Sequence, residues 1–160
     1  LKENAASIRN RDDDALCQMI SVSCNIKRRV VELDPKEKGD RALLNFGHTL
    51  GHAIEKLMNF SLYHGECVVL GMVAALKICV AKHTITQEQF DSIIEVFNGY
   101  NFPLSVSGIT IEDVVKTSKN DKKMDAGKIK FILLKDLGNA YIDMNVTDEE
   151  MAEALKGIVQ

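Results

Sequence analysis

Glycines and histidines interleave at four-residue spacing in N-F-G-H-T-L-G-H, residues 45–52, and this stretch constrains the chain more than any other. Residues four apart lie on one helix face, and each interior glycine lowers helix stability by about 1 kcal/mol relative to alanine. Two such glycines in one helical pattern imply close approach of another backbone or of a ligand. The periodicity predicts a single helix over residues 41–60. With Arg41 at zero and about 100° per residue, Asn45, His48 and His52 share its stripe, about 60° wide. Leu43, Phe46, Leu50, Ala53, Ile54 and Leu57 gather on the opposite side. A merely solvated face would carry Lys and Glu, which are better helix formers, rather than Arg, Asn and two His.

Histidines four apart on one face can hold one metal ion together. The glutamate of an H-E-x-x-H peptidase is absent, which argues against that chemistry. A third imidazole, His64, opens the next predicted helix, residues 64–82, after a loop whose reversal would bring it alongside His48. His83 lies at the far end of that helix, about 28 Å away if the helix is straight, and reads as a surface residue. Two or three imidazoles with an Arg and an Asn nearby point to a divalent metal beside an anionic ligand. Zinc suits imidazole, though other first-row metals share the preference.

The rest of the chain reads as mainly α. Only two prolines interrupt it, at 35 and 103. Asp12 to Asp14 open a helix carrying Leu16, Met19, Ile20, Ile26 and Val30 at helical spacing as far as Leu33. Residues 34–40 form a charged loop around Pro35. Gly71 reads as a glycine tolerated inside the apolar helix 64–82. Thr86 and Thr110 are positioned to cap helices, and Thr147 with Glu150 makes a capping box before a last helix. One β-hairpin is predicted, residues 128–135 turning at Leu137-Gly138-Asn139 to residues 141–146.

At 160 residues the chain is one domain long, with no repeat or linker to divide it. A formal net charge of −3 gives no attraction to nucleic acid or an anionic membrane. The longest apolar run, residues 67–76, is too short to span a bilayer. Four scattered cysteines without a C-x-x-C pair are expected to be reduced thiols of a cytoplasmic protein. The first residue is leucine, so a longer chain upstream is expected.

The run I-K-R-R-V-V-E-L-D-P-K-E-K-G-D-R-A-L-L-N-F-G-H-T-L-G-H-A-I-E, residues 26–55, resembles the 3-dehydroquinate synthases. The later His64-Gly65-Glu66 and Asp121-Lys122-Lys123 fit the same pattern, and the resemblance extends over essentially all 160 residues. It implies the C-terminal helical metal- and substrate-binding domain of a sugar-phosphate cyclase, spanning residues 1–160. The preceding α/β domain, which binds NAD, lies outside this chain, and no G-x-G-x-x-G or strand–helix alternation supplies one here. The implied enzyme is a carbon–oxygen lyase of the shikimate pathway, dependent on NAD+ and on Zn2+ or Co2+. It converts 3-deoxy-D-arabino-heptulosonate 7-phosphate to 3-dehydroquinate and phosphate.

Residue by residue, the resemblance makes His48 and His64 metal ligands. His52 becomes an acid/base group facing substrate, in place of the ligand pair that the spacing alone would give. Lys27, Arg41 and Asn45 become contacts to substrate carboxylate, hydroxyl and phosphate, with Lys122 or Lys123 reaching it too, and Glu37 a proton acceptor. A further metal ligand, a glutamate, is expected upstream. The 160-residue chain alone is therefore expected not to bind NAD or turn over substrate, and to bind metal weakly. A homodimer is implied for the longer enzyme. The competing readings are another sugar-phosphate cyclase, a metal-dependent glycerol-type dehydrogenase, and a non-catalytic helical interaction domain that retains the motif.

Overall fold

The computed structural model of the chain describes residues 1–36, 39–119, 124–125 and 128–160. A short helix α1 (Ala5–Arg9) precedes α2 (Asp13–Leu33), whose first free N–H groups meet an acidic cap: the Asp12 carboxylate accepts from the Ala15 N–H at 2.9 Å. The predicted bounds of this helix hold. Of its 21 residues, only Ala15 is buried. Ile20, Val22, Ile26 and Leu33 stand exposed along it, and its packing is against α1 and the turn that follows.

The single helix predicted over 41–60 is instead two elements. A 3-10 turn, Asp40–Asn45, ends at Phe46, where ψ opens to 126°, and Gly47 then takes a left-handed φ of 79°. Helix α3 (His48–Leu57) starts only after this break. Arg41 and Asn45 are thus not on the helix of His48 and His52, and the four-residue polar stripe does not exist as one helical face. The break falls where the chain packs on its neighbour: Gly47 is left-handed, and a Cβ there would meet the neighbour's backbone at 2.7 Å.

That neighbour is α4 (His64–Ala81), which returns beside α3 through Asn59 and Phe60, both in the left-handed region with φ of 50° and 58°. The two helices cross on glycine. A Cβ on Gly71 would lie 1.9 Å from the Gly47 carbonyl and 2.6 Å from the Gly51 nitrogen. A Cβ on Gly51 would lie 2.9 Å from the Cys67 carbonyl, and one on Gly47 would lie 2.7 Å from the Val68 carbonyl. No real Cβ is found so close to backbone, so this crossing admits only glycine at these three places. The backbone approach foreseen for Gly47 and Gly51 is real, whereas Gly71, expected to be merely tolerated, is required.

Around α4 the core closes. Leu70, Ala74, Ala75, Leu76 and Cys79 of this helix are fully buried, and α3, α5 (Gln87–Gly99), α7 (Asp148–Leu155) and the strand Phe131–Asp136 pack on it. Helix α6 (Ile111–Ser118) packs on α3 and α7. A helix apolar on all sides belongs at the centre of such a fold. By length and composition alone α4 could cross a membrane, but 61% of it is buried by the other elements. Thr86, Thr110 and Thr147 each cap the helix that follows, as predicted.

The predicted hairpin forms over a narrower span. Strands β1 (Met124–Asp125) and β2 (Lys128–Ile129) make a small antiparallel ladder, and β3 (Phe131–Asp136) pairs with β4 (Asn139–Asp143) in a second. Lys128 and Ile129 therefore belong to a different ladder from the residues after them. Phe131, Ile132 and Leu133 are all buried, so β3 opens as a continuous apolar run, not an alternating one.

Candidate metal centre

His48 is the first residue of α3, placed there by the left-handed Gly47, and His52 follows one turn later on the same face. His64 is the first residue of α4. The start of α4 is fixed by Glu66, whose carboxylate accepts from the Tyr63 N–H at 2.8 Å. Because α4 returns beside α3 at glycine-limited distance, its first turn lies against the His48–His52 face. Ring centroids are 5.1 Å apart for His48 and His52, and 5.5 Å from His64 to each of the other two. One nitrogen from each ring lies within 4.8 Å of the others. His48 and His52 are half-buried and His64 is exposed, so the cluster opens to solvent on one side.

The donor set fits a divalent metal. Zinc–nitrogen bonds of about 2.0–2.1 Å place tetrahedral ligand nitrogens about 3.4 Å apart, which small side-chain rotations reach from the observed spacing. The tautomers agree. His48 Nδ1 lies 3.2 Å from the Phe46 carbonyl, an oxygen that only accepts, so Nδ1 carries the proton and, in the neutral ring, Nε2 has the lone pair. His64 Nδ1 lies 3.2 Å from both oxygens of Glu55, with the same consequence. Glu55 stands seven residues after His48 and three after His52, on their face of α3. That spacing was a legible signal, and the sequence reading passed over it.

The other predicted site residues are distributed unevenly. Arg41 is tied to the loop before the 3-10 turn: its Nη1 donates to the Pro35 carbonyl at 3.2 Å, and its N–H to Asp34 Oδ2 at 3.1 Å. Asn45 ends the same turn, half-buried. Lys27 is exposed on α2. Glu37, Lys122 and Lys123 lie outside the described residues. His83 is exposed beyond the far end of α4, as expected. A separate open cleft of about 630 Å³ lies by that far end, lined by residues such as Lys77, Phe90 and Glu153, and none of the predicted site residues that are described lines it.

The thiols follow their surroundings. Cys67, on α4 beneath the cluster, has its pKa pushed up to about 11 by burial and then by the nearby Glu55 and Glu66 carboxylates. Burial likewise raises Cys79. Neither is poised as a nucleophile or a thiolate ligand.

The fold around this cluster is shared with two solved synthases. The 2-epi-5-epi-valiolone synthase of Streptomyces hygroscopicus subsp. jinggangensis, solved with NAD+ and Zn2+ bound, matches 98% of this chain and 44% of its own with a TM-score of 0.87 at 19% identity. A 2-deoxy-scyllo-inosose synthase, complexed with carbaglucose-6-phosphate, NAD+ and Co2+, matches 76% of this chain and 36% of its own with a TM-score of 0.65 at 22% identity. The chain belongs to the 3-dehydroquinate synthase family. Residues 1–124 match the family's profile, described as 3-dehydroquinate synthase C-terminal. The 3-dehydroquinate synthase of Thermoanaerobacter pseudethanolicus is 39% identical over 157 residues, 98% of this chain and 44% of that protein. That of Acetivibrio thermocellus is 38% identical over 148 residues, 92% and 41% respectively. The chain thus spans less than half the length of the relatives it matches.

Proposed function

We propose that this chain is the metal- and substrate-binding half of a 3-dehydroquinate synthase, acting on 3-deoxy-D-arabino-heptulosonate 7-phosphate with release of phosphate. The observation that carries the reading is the convergence of His48, His52 and His64 from two helices locked by glycine contact, in a chain of this family. His48 and His64 hold the divalent metal through Nε2, because the Nδ1 of each is already donating. When bound, Zn2+ or Co2+ polarises a substrate oxygen, and NAD+, bound by a domain outside this chain, accepts and returns hydride.

The remaining roles belong to the chain's own side chains. His52 is held within reach of the same space and moves a proton to or from substrate, a task suited to imidazole near neutral pH. Lys27, Arg41, Asn45 and one of Lys122 and Lys123 bind the carboxylate, hydroxyl and phosphate groups, Arg41 through a planar fork and the lysines as point charges. Glu37 accepts a proton. Part of this set must be drawn in by substrate or by the rest of the enzyme, since Lys27 faces solvent and Arg41 is occupied with its own loop. A soluble homodimer without nucleic-acid or membrane partners completes the reading.

The test uses a polypeptide of the relatives' full length and measures phosphate release, dehydroquinate and bound zinc. His52→Ala is expected to lower kcat by about 10²–10⁴-fold with zinc content unchanged. His48→Ala is expected to lose the zinc itself. Dehydroquinate formation by the 160-residue chain alone would overturn the division of labour. Turnover of a different sugar phosphate, with none of the heptulosonate, would assign the chain to another cyclase activity.

A further inference from the structure

Among the described residues, Glu55 is a carboxylate in hydrogen-bond contact with the imidazole cluster, at His64. It lies on the last full turn of α3, one turn beyond His52, and its side chain is 16% exposed, against 53% for His64. Both of its oxygens lie 3.2 Å from His64 Nδ1, so the ring hydrogen is shared between two acceptors and its direction is set by the carboxylate plane. His64 opens α4, is 53% exposed, and belongs to a different helix from the other two imidazoles. The Nδ1–H of His48 goes instead to the Phe46 carbonyl two residues before it.

We infer that Glu55 is a positioning residue for the metal centre, fixing His64 as the Nδ1–H tautomer with Nε2 turned toward His48 and His52. The inference rests on the proposed reading of His48 and His64 as metal ligands. A carboxylate behind a ligating imidazole fixes the ring's orientation and tautomer and is commonly worth a 10–100-fold change in metal affinity. Glu55 does this across the α3–α4 junction. It therefore couples the one ligand on α4 to the helix that carries the rest of the cluster, as the glycine contact couples the two backbones.

Two variants separate the hydrogen bond from the packing. Glu55→Met keeps chain length and helix propensity but removes the acceptor, and Glu55→Gln keeps an acceptor oxygen without charge. Ring-nitrogen NMR on the metal-free 160-residue chain reads the His64 tautomer, and chelator competition reads its zinc affinity, alongside His48→Ala. The expected result is Nδ1–H in the parent chain and in Glu55→Gln, and a shift toward Nε2–H in Glu55→Met. Zinc affinity is expected to fall about 10–100-fold in Glu55→Met and only a few-fold in Glu55→Gln. An unchanged tautomer in Glu55→Met, or equal zinc losses in both variants, overturns the role of Glu55 and leaves the metal reading standing. Zinc affinity unchanged in His48→Ala overturns the metal reading, and the tautomer measurement then still decides the Glu55 contact by itself.

Discussion

Helices α2 and α4 are similar in length and opposite in circumstance. Helix α2 has 21 residues and buries one, while α4 has 18 and buries eleven, Cys67 to Gly71, Val73 to Leu76, Ile78 and Cys79. Both carry apolar residues through their length. Composition separates them first, since α4 is apolar on all sides whereas α2 carries Asp13, Asp14, Lys27, Arg28, Arg29 and Glu32, and close packing adds to the difference. Glycine at 47, 51 and 71 lets α3 lie directly on α4, and once those backbones touch, the surrounding side chains reach one another and exclude water. Among the described residues α2 packs on α1 and the 3-10 turn, and its Ile20, Val22 and Ile26 face outward. Hydrophobic periodicity thus tells which face of a helix could be buried, and composition together with close backbone approach settles how much of it is.

The contrast is broken most severely at its glycine contact. Gly71→Ala places a methyl 1.9 Å from the Gly47 carbonyl, backbone that cannot give way without moving α3. A loss of about 3 kcal/mol or more is expected, with the three imidazoles separated. Chemical denaturation monitored by circular dichroism reads the first and zinc competition the second. A parent-like midpoint would show that the helices are not in contact there. Next comes Leu70→Ala, which empties a fully buried site on α4 and is expected to destabilise by about 2–5 kcal/mol.

Thiol chemistry sharpens the comparison without changing the sequence. Cys17 and Cys24 are exposed on α2, and Cys67 and Cys79 are buried on α4. A thiol reagent at pH 8 is expected to modify the α2 pair promptly and to reach the α4 pair only on unfolding, Cys67 being held back further by its raised pKa. Mass spectrometry of peptides after a brief exposure tells the pairs apart. Equal labelling of all four would mean that the core opens readily.

These differences explain how much the sequence disclosed. The starts of α2, α5, α6 and α7 were legible because Asp12, Thr86, Thr110 and Thr147 cap them through local hydrogen bonds, which need nothing distant. The return of His64 toward His48 was legible from the motif and the short loop. The break at Phe46 and Gly47 was not. It falls where Gly47 packs on α4 so closely that a Cβ would meet Met72 and Val68, some twenty residues on, and a helical wheel drawn over residues 41–60 contains none of that. For the same reason the wheel grouped Arg41 and Asn45 with the histidines, and Gly71 read as incidental. Lys128 and Ile129 were assigned to the main hairpin because their apolar pattern runs on into β3, although they pair with Met124 and Asp125. Glu55 was missed although its spacing from His48 and His52 was plain, since attention to ligands passes over the groups that hold them.

A smaller effect lies at the far end of α4. Lys82 Nζ sits 2.6 Å from Glu150 Oε1 and 3.9 Å from Asp143 Oδ2, tying α4 to α7 and β4. Hydrogen bonding to Glu150 raises the Lys82 pKa. Burial pushes Glu150 up, but the Lys82 bond and the Thr147 N–H outweigh it, so its carboxyl lies below the ordinary value near 4.5. The contribution from Glu150 is therefore complete above its ordinary pKa and is lost as pH falls through its depressed one. That from Lys82 is complete below 10.5 and is lost as pH rises through its raised value. Lys82→Met is expected to cost about 1 kcal/mol at pH 7, with the difference from the parent shrinking toward pH 3. Melting curves at both pH values check it, and an unchanged difference would remove the ion pair from the account.

The smallest expected effect tests the other side of the comparison. Ile26 is 56% exposed at the middle of α2, so Ile26→Ser removes apolar surface that already meets water in this chain. Stability is expected to change by no more than about 0.5 kcal/mol, the two residues differing little in helix propensity. The same substitution in a polypeptide of the relatives' full length asks a further question, because burial against added chain would raise the loss toward the 2–5 kcal/mol of a core position. The pair of measurements therefore separates what α2 is in this chain from what it becomes beside more protein. A large loss already in the 160-residue chain would mean that α2 packs on its own core, and that its difference from α4 is one of degree.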